Sequence, residues 1–180
     1  MQSSVIRVRS YAKAMLAGNP SAGFYRKTLS FTFQDFFAEV TLFPFQHLEL
    51  LAGRRHRPIS SSVNDIVKLI DDFGYYGGIR LLQVTIKKFS EYCGSNKLIL
   101  QSEIFSIRYF STIAIRTRIT SSGAVITASL KALMKFHNVG IVRQALANLV
   151  LSVKSDELGL GEGVLRWLST NLKIGLKTAA

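Results

Sequence analysis

From Val63 onward, apolar residues recur three and four positions apart. Val63, Ile66, Val67, Ile70 and Phe73 form a first run, and Ile79, Leu82, Ile86 and Phe89 a second. Leu98, Gln101, Phe105, Tyr109 and Ile113 repeat the spacing less cleanly. Ile126, Leu130, Leu133 and Met134 resume it, then Val142, Leu146, Leu149 and Val150, and last Val164, Leu165, Leu168 and Leu172. Such spacing predicts amphipathic helices. Gly74, Gly77, Gly78, Gly94, Gly123, Gly140, Gly159 and Gly175 fall at the breaks, where C-caps and tight turns need them. Short links between helices favour antiparallel neighbours. Ser60, Ser61 and Ser62 offer N-caps for the first of these helices, with Asp65 in its first turn.

Upstream, Phe31 to Leu51 is dense in aromatics and interrupted by Pro44, which a helix interior does not accept. The pattern predicts a short helix near Gln34–Leu42 and a second from Phe45 to about Ala52. Two short strands over Phe31–Thr41 are the alternative. The expected fold is therefore all-α: antiparallel helix pairs in an α-solenoid-like array or an irregular helical bundle. Residues 1–30 read as a basic N-terminal arm or targeting segment, and residues 31–180 as the helical domain.

Self-comparison gives the array some support. A shift of 63 residues lays Lys68 on Lys131, Phe73 on Phe136, Gly77 on Gly140, Ile79 on Val142 and Arg80 on Arg143. A further shift of 35 lays Leu130 on Leu165, Leu133 on Leu168 and Gly140 on Gly175, a period within the range of two-helix solenoids. Residues 63–175 thus read as repeat-like, with an irregular unit around Ile104–Ile126. A non-repetitive bundle accounts for the same periodicity.

Composition narrows the class. Of 180 residues, 48% are hydrophobic and 19% charged, with 12 Phe, which excludes a disordered polycation. The single cysteine, Cys93, excludes a disulfide framework and reads as a structural thiol at a helix end. No apolar run is long enough for a transmembrane helix, since the best stretches carry Arg108 and Arg143. Residues 1–34 hold Arg7, Arg9, Lys13, Arg26 and Lys27 and no acid, with Ser3, Ser4, Ser10, Ser21 and Ser30 between them. That is the composition of an organellar transit peptide, with Val5, Val8, Ala12 and Leu16 on one helical face. The alternatives are a basic arm lying on an acidic partner and an ordinary first helix. A mitochondrial matrix location is the expectation from this segment, with another organelle or the cytoplasm as alternatives.

Catalytic signals are absent from the sequence. His47, His56 and His137 are dispersed, and no zinc-protease, paired-cysteine, nucleophile-elbow or Walker pattern occurs, so no metal, cofactor or catalytic group is predicted. Asp71 and Asp72 point about 100° apart on a helix and read as a solvated face. Gly159, Gly161 and Gly163 lack a preceding strand and read as an inter-helix loop. Trp167 reads as core or partner interface.

The functional content lies in the net charge of +12, which favours a polyanionic partner. Arg54, Arg55, His56 and Arg57 form the densest cluster. Arg116 and Arg118 stand in a Thr/Ser-rich stretch whose hydroxyls and N–H groups suit phosphate oxygens. Lys87, Lys88, Lys131, Lys135 and Arg143 decorate helix faces, and Tyr75 and Tyr76 offer a stacking platform for bases.

The Lys68–Arg80 and Lys131–Arg143 units, with the acid-free N-terminus, resemble the degenerate helical repeats of organellar RNA-binding proteins of the FAST-kinase-like/RAP, heptatricopeptide and octotricopeptide groups. The resemblance implies a non-catalytic RNA-binding component of an organellar ribonucleoprotein such as a mitochondrial ribosome, with RNA and protein subunits of a larger assembly as partners. A structural subunit of a mitochondrial membrane complex and a viral nucleocapsid-type protein are the alternative readings.

Overall fold

Ile6, Val8, Ser10 and Ala12 alternate with Arg7, Arg9 and Tyr11, and the chain uses that alternation: Val8 and Ala12 are buried while Arg7, Arg9 and Tyr11 are exposed. These residues belong to a strand, β1 (Ile6–Ala17). The computed structural model describes residues 5–17, 29–46, 48–51, 59–60, 63, 67, 79–113 and 121–157. Within them β2 (Leu29–Pro44), β3 (Leu48–Leu51), β4 (Ile59–Ser60) and β5 (Phe105–Ser111) complete a five-stranded sheet in the order β1-β2-β5-β3-β4. Only β3 and β5 run parallel. The helices whose bounds fall among the described residues are α1 (Arg80–Ser95), α2 (Ser121–Phe136) and α3 (Arg143–Ser152), the last running into a π-helical turn over Val153–Glu157.

The fold is thus α/β, which corrects the all-α expectation. The first and commonest reason is that two periods fitted the same residues. Val8 and Ala12 sit four apart, as a helix face requires, and equally an even number apart, as a strand face requires. The predicted helix near Gln34–Leu42 lies inside β2, where aromatic and β-branched residues suit a pleated, half-buried surface. The predicted helix from Phe45 covers β3, whose Leu48 and Leu50 are fully buried. Pro44 closes β2 rather than breaking a helix. The irregular unit around Ile104–Ile126 contains β5, so the apparent repeat spans a sheet strand and no helical array exists among the described residues. Residues 131–143 are the end of α2, a turn and the first residue of α3.

Among the described residues the runs Ile79–Phe89, Ile126–Met134 and Val142–Val150 coincide with helices, while the run predicted over 164–172 and all but Val63 and Val67 of the run over 63–73 lie outside them. Ile79, Leu82, Ile86, Phe89 and Cys93 bury one face of the α1 region, and Ile126, Leu130 and Leu133 do so on α2. Each such side chain contributes about 1.5–3 kcal/mol relative to exposure. α2 lies across β1 and β2, with α1 and α3 packed against it. The other sheet face is wet and aromatic: Tyr11 and Phe110 are exposed, and Arg9 holds its guanidinium 4.5 Å from the Phe37 ring centre while its Nε donates to Glu39 Oε2 at 2.6 Å. One covered and one solvated face is usual for antiparallel pairing.

A bulge interrupts the β1–β2 ladder. Tyr11 faces Phe37 but Ala12 faces Phe33, so Gln34, Asp35 and Phe36 have no partner on β1. Thr112 fastens this excursion: its hydroxyl donates to the Asp35 carbonyl at 3.1 Å and accepts from the Phe37 N–H at 3.0 Å.

At the C-terminal end of α2 the core becomes aromatic. Phe105 of β5 meets Phe136 edge to face at 5.1 Å, and His137 stacks on Phe89 at 5.9 Å. His137 is buried with Nδ1 unpartnered, and desolvation pushes its imidazole down to about 4. Between that value and the ordinary one the unfolded chain binds the extra proton. Stability is therefore full above about pH 6.5 and declines as pH falls towards 4, by about 2–3 kcal/mol in all. His137→Phe keeps the ring and removes the proton site. Urea denaturation between pH 7.5 and 4 should show that part of the acid sensitivity gone in the variant and present in the parent.

Candidate functional site

The start of α2 is seated directly on the sheet. Ala12 of β1, Ala38 of β2, Ile113, and Ala124 and Val125 of α2 form a buried cluster, and three alanines among five residues permit close approach of backbones. The junction fixes where the helix N-terminus lies. No acidic residue occupies the first turn of α2, so its N–H groups and positive dipole end meet no internal carboxylate there. Ser122 and Gly123 are half-buried, and Thr127 donates its hydroxyl back to the Gly123 carbonyl at 2.7 Å. Lys13 follows Ala12 on β1 and is half-buried, and loss of water holds its ammonium below the usual lysine range. A helix N-terminus with serine and glycine in its first turn suits an anionic group, phosphate above all.

A second basic feature lies at the other end of the same helix. Lys131 and Lys135 are exposed on α2 and, with Arg7 and Arg9 of β1, line an open groove of about 610 Å³. The sequence singled out Lys131 and Lys135 separately, and the fold brings them together. It does not add the other helix-face cations. Lys87 and Lys88 are half-buried on α1, with Lys88 Nζ 3.1 Å from Glu91 Oε2, and Arg143 is exposed at the start of α3; none of the three lines the groove. Arg54, Arg55, His56, Arg57, Tyr75, Tyr76, Arg116 and Arg118 lie outside the described residues. Arg7, Arg9 and Lys13 were read only as part of a targeting segment or basic arm. Their odd-numbered spacing in Ile-Arg-Val-Arg-Ser-Tyr-Ala-Lys was the signal that they share a strand face.

Other groups have structural explanations. Cys93 is buried at the end of α1, and burial pushes its thiol up to about 11. Lys154 is buried on the π-helical turn with its ammonium pushed down to about 8 by desolvation. Among the described residues no group of three or more His, Cys, Asp or Glu is placed to hold a metal ion, and no helix is long and apolar enough to cross a membrane.

Comparison with known proteins decides the direction of the functional reading. The chain is 35% identical over 164 residues to glucuronokinase 1 of Arabidopsis thaliana, a match covering 89% of this chain and 45% of that protein. It superposes on the mevalonate kinase of Methanococcus jannaschii with a TM-score of 0.75 at 18% identity, covering 94% of this chain and 52% of that one. Lactococcus lactis galactokinase, solved with galactose, gives a TM-score of 0.68 at 14% identity over 92% of this chain and 41% of that one. No protein-family model matches. The chain shares the α/β fold of these solved kinases. It spans about half the length of the relatives it matches.

These likenesses overturn the reading as a helical-repeat, non-catalytic RNA-binding component, and with it the membrane-complex and nucleocapsid alternatives. The relatives are enzymes acting on small metabolites, so RNA and ribonucleoprotein subunits are replaced as expected partners. The composition argument failed at a definite step. It treated basic charge beside Ser and Thr as a surface for a polymer, when the same residue types suit the oxygens of a single phosphorylated metabolite equally well.

For Cys93, a thiol with so small a thiolate fraction at neutral pH is a poor nucleophile. Alkylation by iodoacetamide at pH 7.5 should be at least a hundredfold slower in the folded protein than in 6 M guanidinium chloride. Comparable rates would show the thiol to be accessible and activated.

Proposed function

We propose that this chain carries the nucleotide-phosphate-binding part of a sugar-acid kinase, one that transfers the γ-phosphoryl group of a nucleoside triphosphate to a hydroxyl of a hexuronic acid such as glucuronate. The observation that carries the proposal is the 35% identity to a glucuronokinase over 89% of the chain, in a fold otherwise matched by metabolite kinases. The physical basis is the α2 N-terminus. Its backbone N–H groups and the Ser122 and Gly123 of its first turn offer donors to a triphosphate.

Transfer breaks the bond between the γ-phosphorus and the bridging oxygen and forms a bond to the sugar hydroxyl oxygen. The hydroxyl proton is released and the nucleoside diphosphate leaves. Such chemistry is catalysed chiefly by positioning and by charge stabilisation.

The test is ADP release by the polypeptide carrying this sequence, with ATP and glucuronate as substrates and galactose and mevalonate as controls. Glucuronate-dependent turnover is expected, with Ser122→Glu lowering kcat/KM at least tenfold by placing a carboxylate where phosphate binds. Circular dichroism confirms that the variant folds. Absence of turnover with glucuronate would overturn the choice of substrate, and unchanged kinetics in Ser122→Glu would overturn the role of this helix end.

A further inference from the structure

The face of the sheet turned away from α2 takes no part in the function proposed above. Strand register arranges its side chains on β1, β2 and β5 in rows. Arg7, Thr41 and Arg108 lie side by side in one row. Arg9, Glu39 and Phe110 form the next, and Tyr11 and Phe37 the third. They share this face because Val8, Val40 and Ile107, which alternate with them along the strands, are buried on the other side.

The two ends of this array differ in chemistry. The first row holds two exposed guanidinium groups, Arg7 and Arg108, and neither meets a carboxylate among the described residues. The middle row is neutral, since Arg9 is paired with Glu39 at 2.6 Å, and it carries Phe110, which is 62% exposed. The third row is aromatic: Tyr11 is 46% exposed beside Phe37, whose ring already holds the Arg9 guanidinium at 4.5 Å. Asp35 stands exposed just beyond that row on β2, and Lys13, next on this face of β1, is half-buried and engaged by an interaction within the chain. One end therefore offers guanidinium groups, and the other offers the ring faces and the carboxylate that guanidinium groups bind. Exposed Tyr and Phe set among Arg is the composition of an interface rather than of a solvated sheet face.

We propose that this face binds a second copy of the chain, sheet against sheet, about a two-fold axis that lies between the sheets and crosses the strands at the middle row. Such an axis reverses the strand direction, so the Arg7 row of each copy covers the Tyr11 row of the other and every contact between them forms twice. The neutral middle rows meet on the axis, where Phe110 packs on Phe110 of the second copy. Arg7 and Arg108 gain ring faces and the Asp35 carboxylate of the second copy, repeating between copies the stacking that Arg9 and Phe37 make within one. A partner acidic throughout would answer the arginine row but set charge against Tyr11 and Phe110, whereas a second copy answers both ends at once. Three strands give a patch roughly 14 Å wide. An interface of that width is small, so the dimer is a reversible one.

Sedimentation velocity of the polypeptide carrying this sequence, from about 5 to about 500 µM, tests the proposal, with ¹H–¹⁵N shifts followed on dilution. A monomer–dimer equilibrium is expected, with dilution shifts gathered at residues 7–11, 37–41 and 106–112. Phe110→Thr puts a β-branched residue at the exposed position and so preserves the strand, and Arg7→Glu reverses the charge at one end of the array. Each should weaken association by about tenfold or more. Lys131→Glu/Lys135→Glu, at exposed positions of α2 on the other side of the sheet, should leave it unchanged. A monomer at every concentration, a dimer indifferent to both Phe110→Thr and Arg7→Glu, or an equal loss in the α2 variant would overturn the proposal. None of these readouts depends on turnover, so the result is separate from the kinase reading.

Discussion

The close seating of α2 on β1 and β2 is the contact on which the rest depends. At its N-terminal end, Ala12, Ala38, Ala124 and Val125 are small enough to bring helix and sheet together, and all four are buried. At its C-terminal end, Phe136 and His137 lock into the aromatic group around Phe89 and Phe105. A helix clamped at both ends has a fixed axis, so its N-terminal N–H groups and its C-terminal lysines are presented at defined places. Replacing Ala38 by a larger apolar residue would lift the first turn by roughly the size of the added group, since packed interiors have no slack to absorb it.

The clamp also fixes where part of the chain's positive charge lies. Long-range repulsion among cations is weak at physiological salt, whereas charges brought within a few ångströms of one another cost stability unless an anion joins them. The described structure disperses some of its cations, as with Lys88 beside Glu91 and Arg9 beside Glu39. It places Lys131 and Lys135 together towards the C-terminal end of α2. The distinction between dispersed and concentrated charge, rather than the total of +12, is what bears on function.

Parts of this were legible in the sequence. The runs Ile79–Phe89 and Ile126–Met134 specify helices because their apolar residues satisfy the 3.6-residue period and no other, and Cys93 is buried at a helix end as its setting implied. The strands were obscured. In β1 small and apolar residues fit both periods, and in β2 the excursion at Gln34–Phe36 shifts the alternation midway, so Phe31 and Phe33 fall out of phase with Ala38, Val40 and Leu42. The groove was not legible at all, since it joins β1 to the end of α2 and no local pattern reports that contact. The Ser/Thr-rich segment was read as suited to phosphate oxygens, which a polymer and a metabolite offer alike, and only the likeness to small-molecule kinases separates the two.

The account stands on α2 having a nucleotide phosphate at its N-terminal end. Titrating the ¹⁵N-labelled protein with a non-hydrolysable ATP analogue and following the amides of Ser122, Gly123, Ala124 and Val125 tests this directly. Saturable shifts centred on these four residues and extending into the preceding Thr/Ser-rich segment are predicted. Their absence at millimolar analogue, with the sheet and helices intact by the same spectra, would contradict the account.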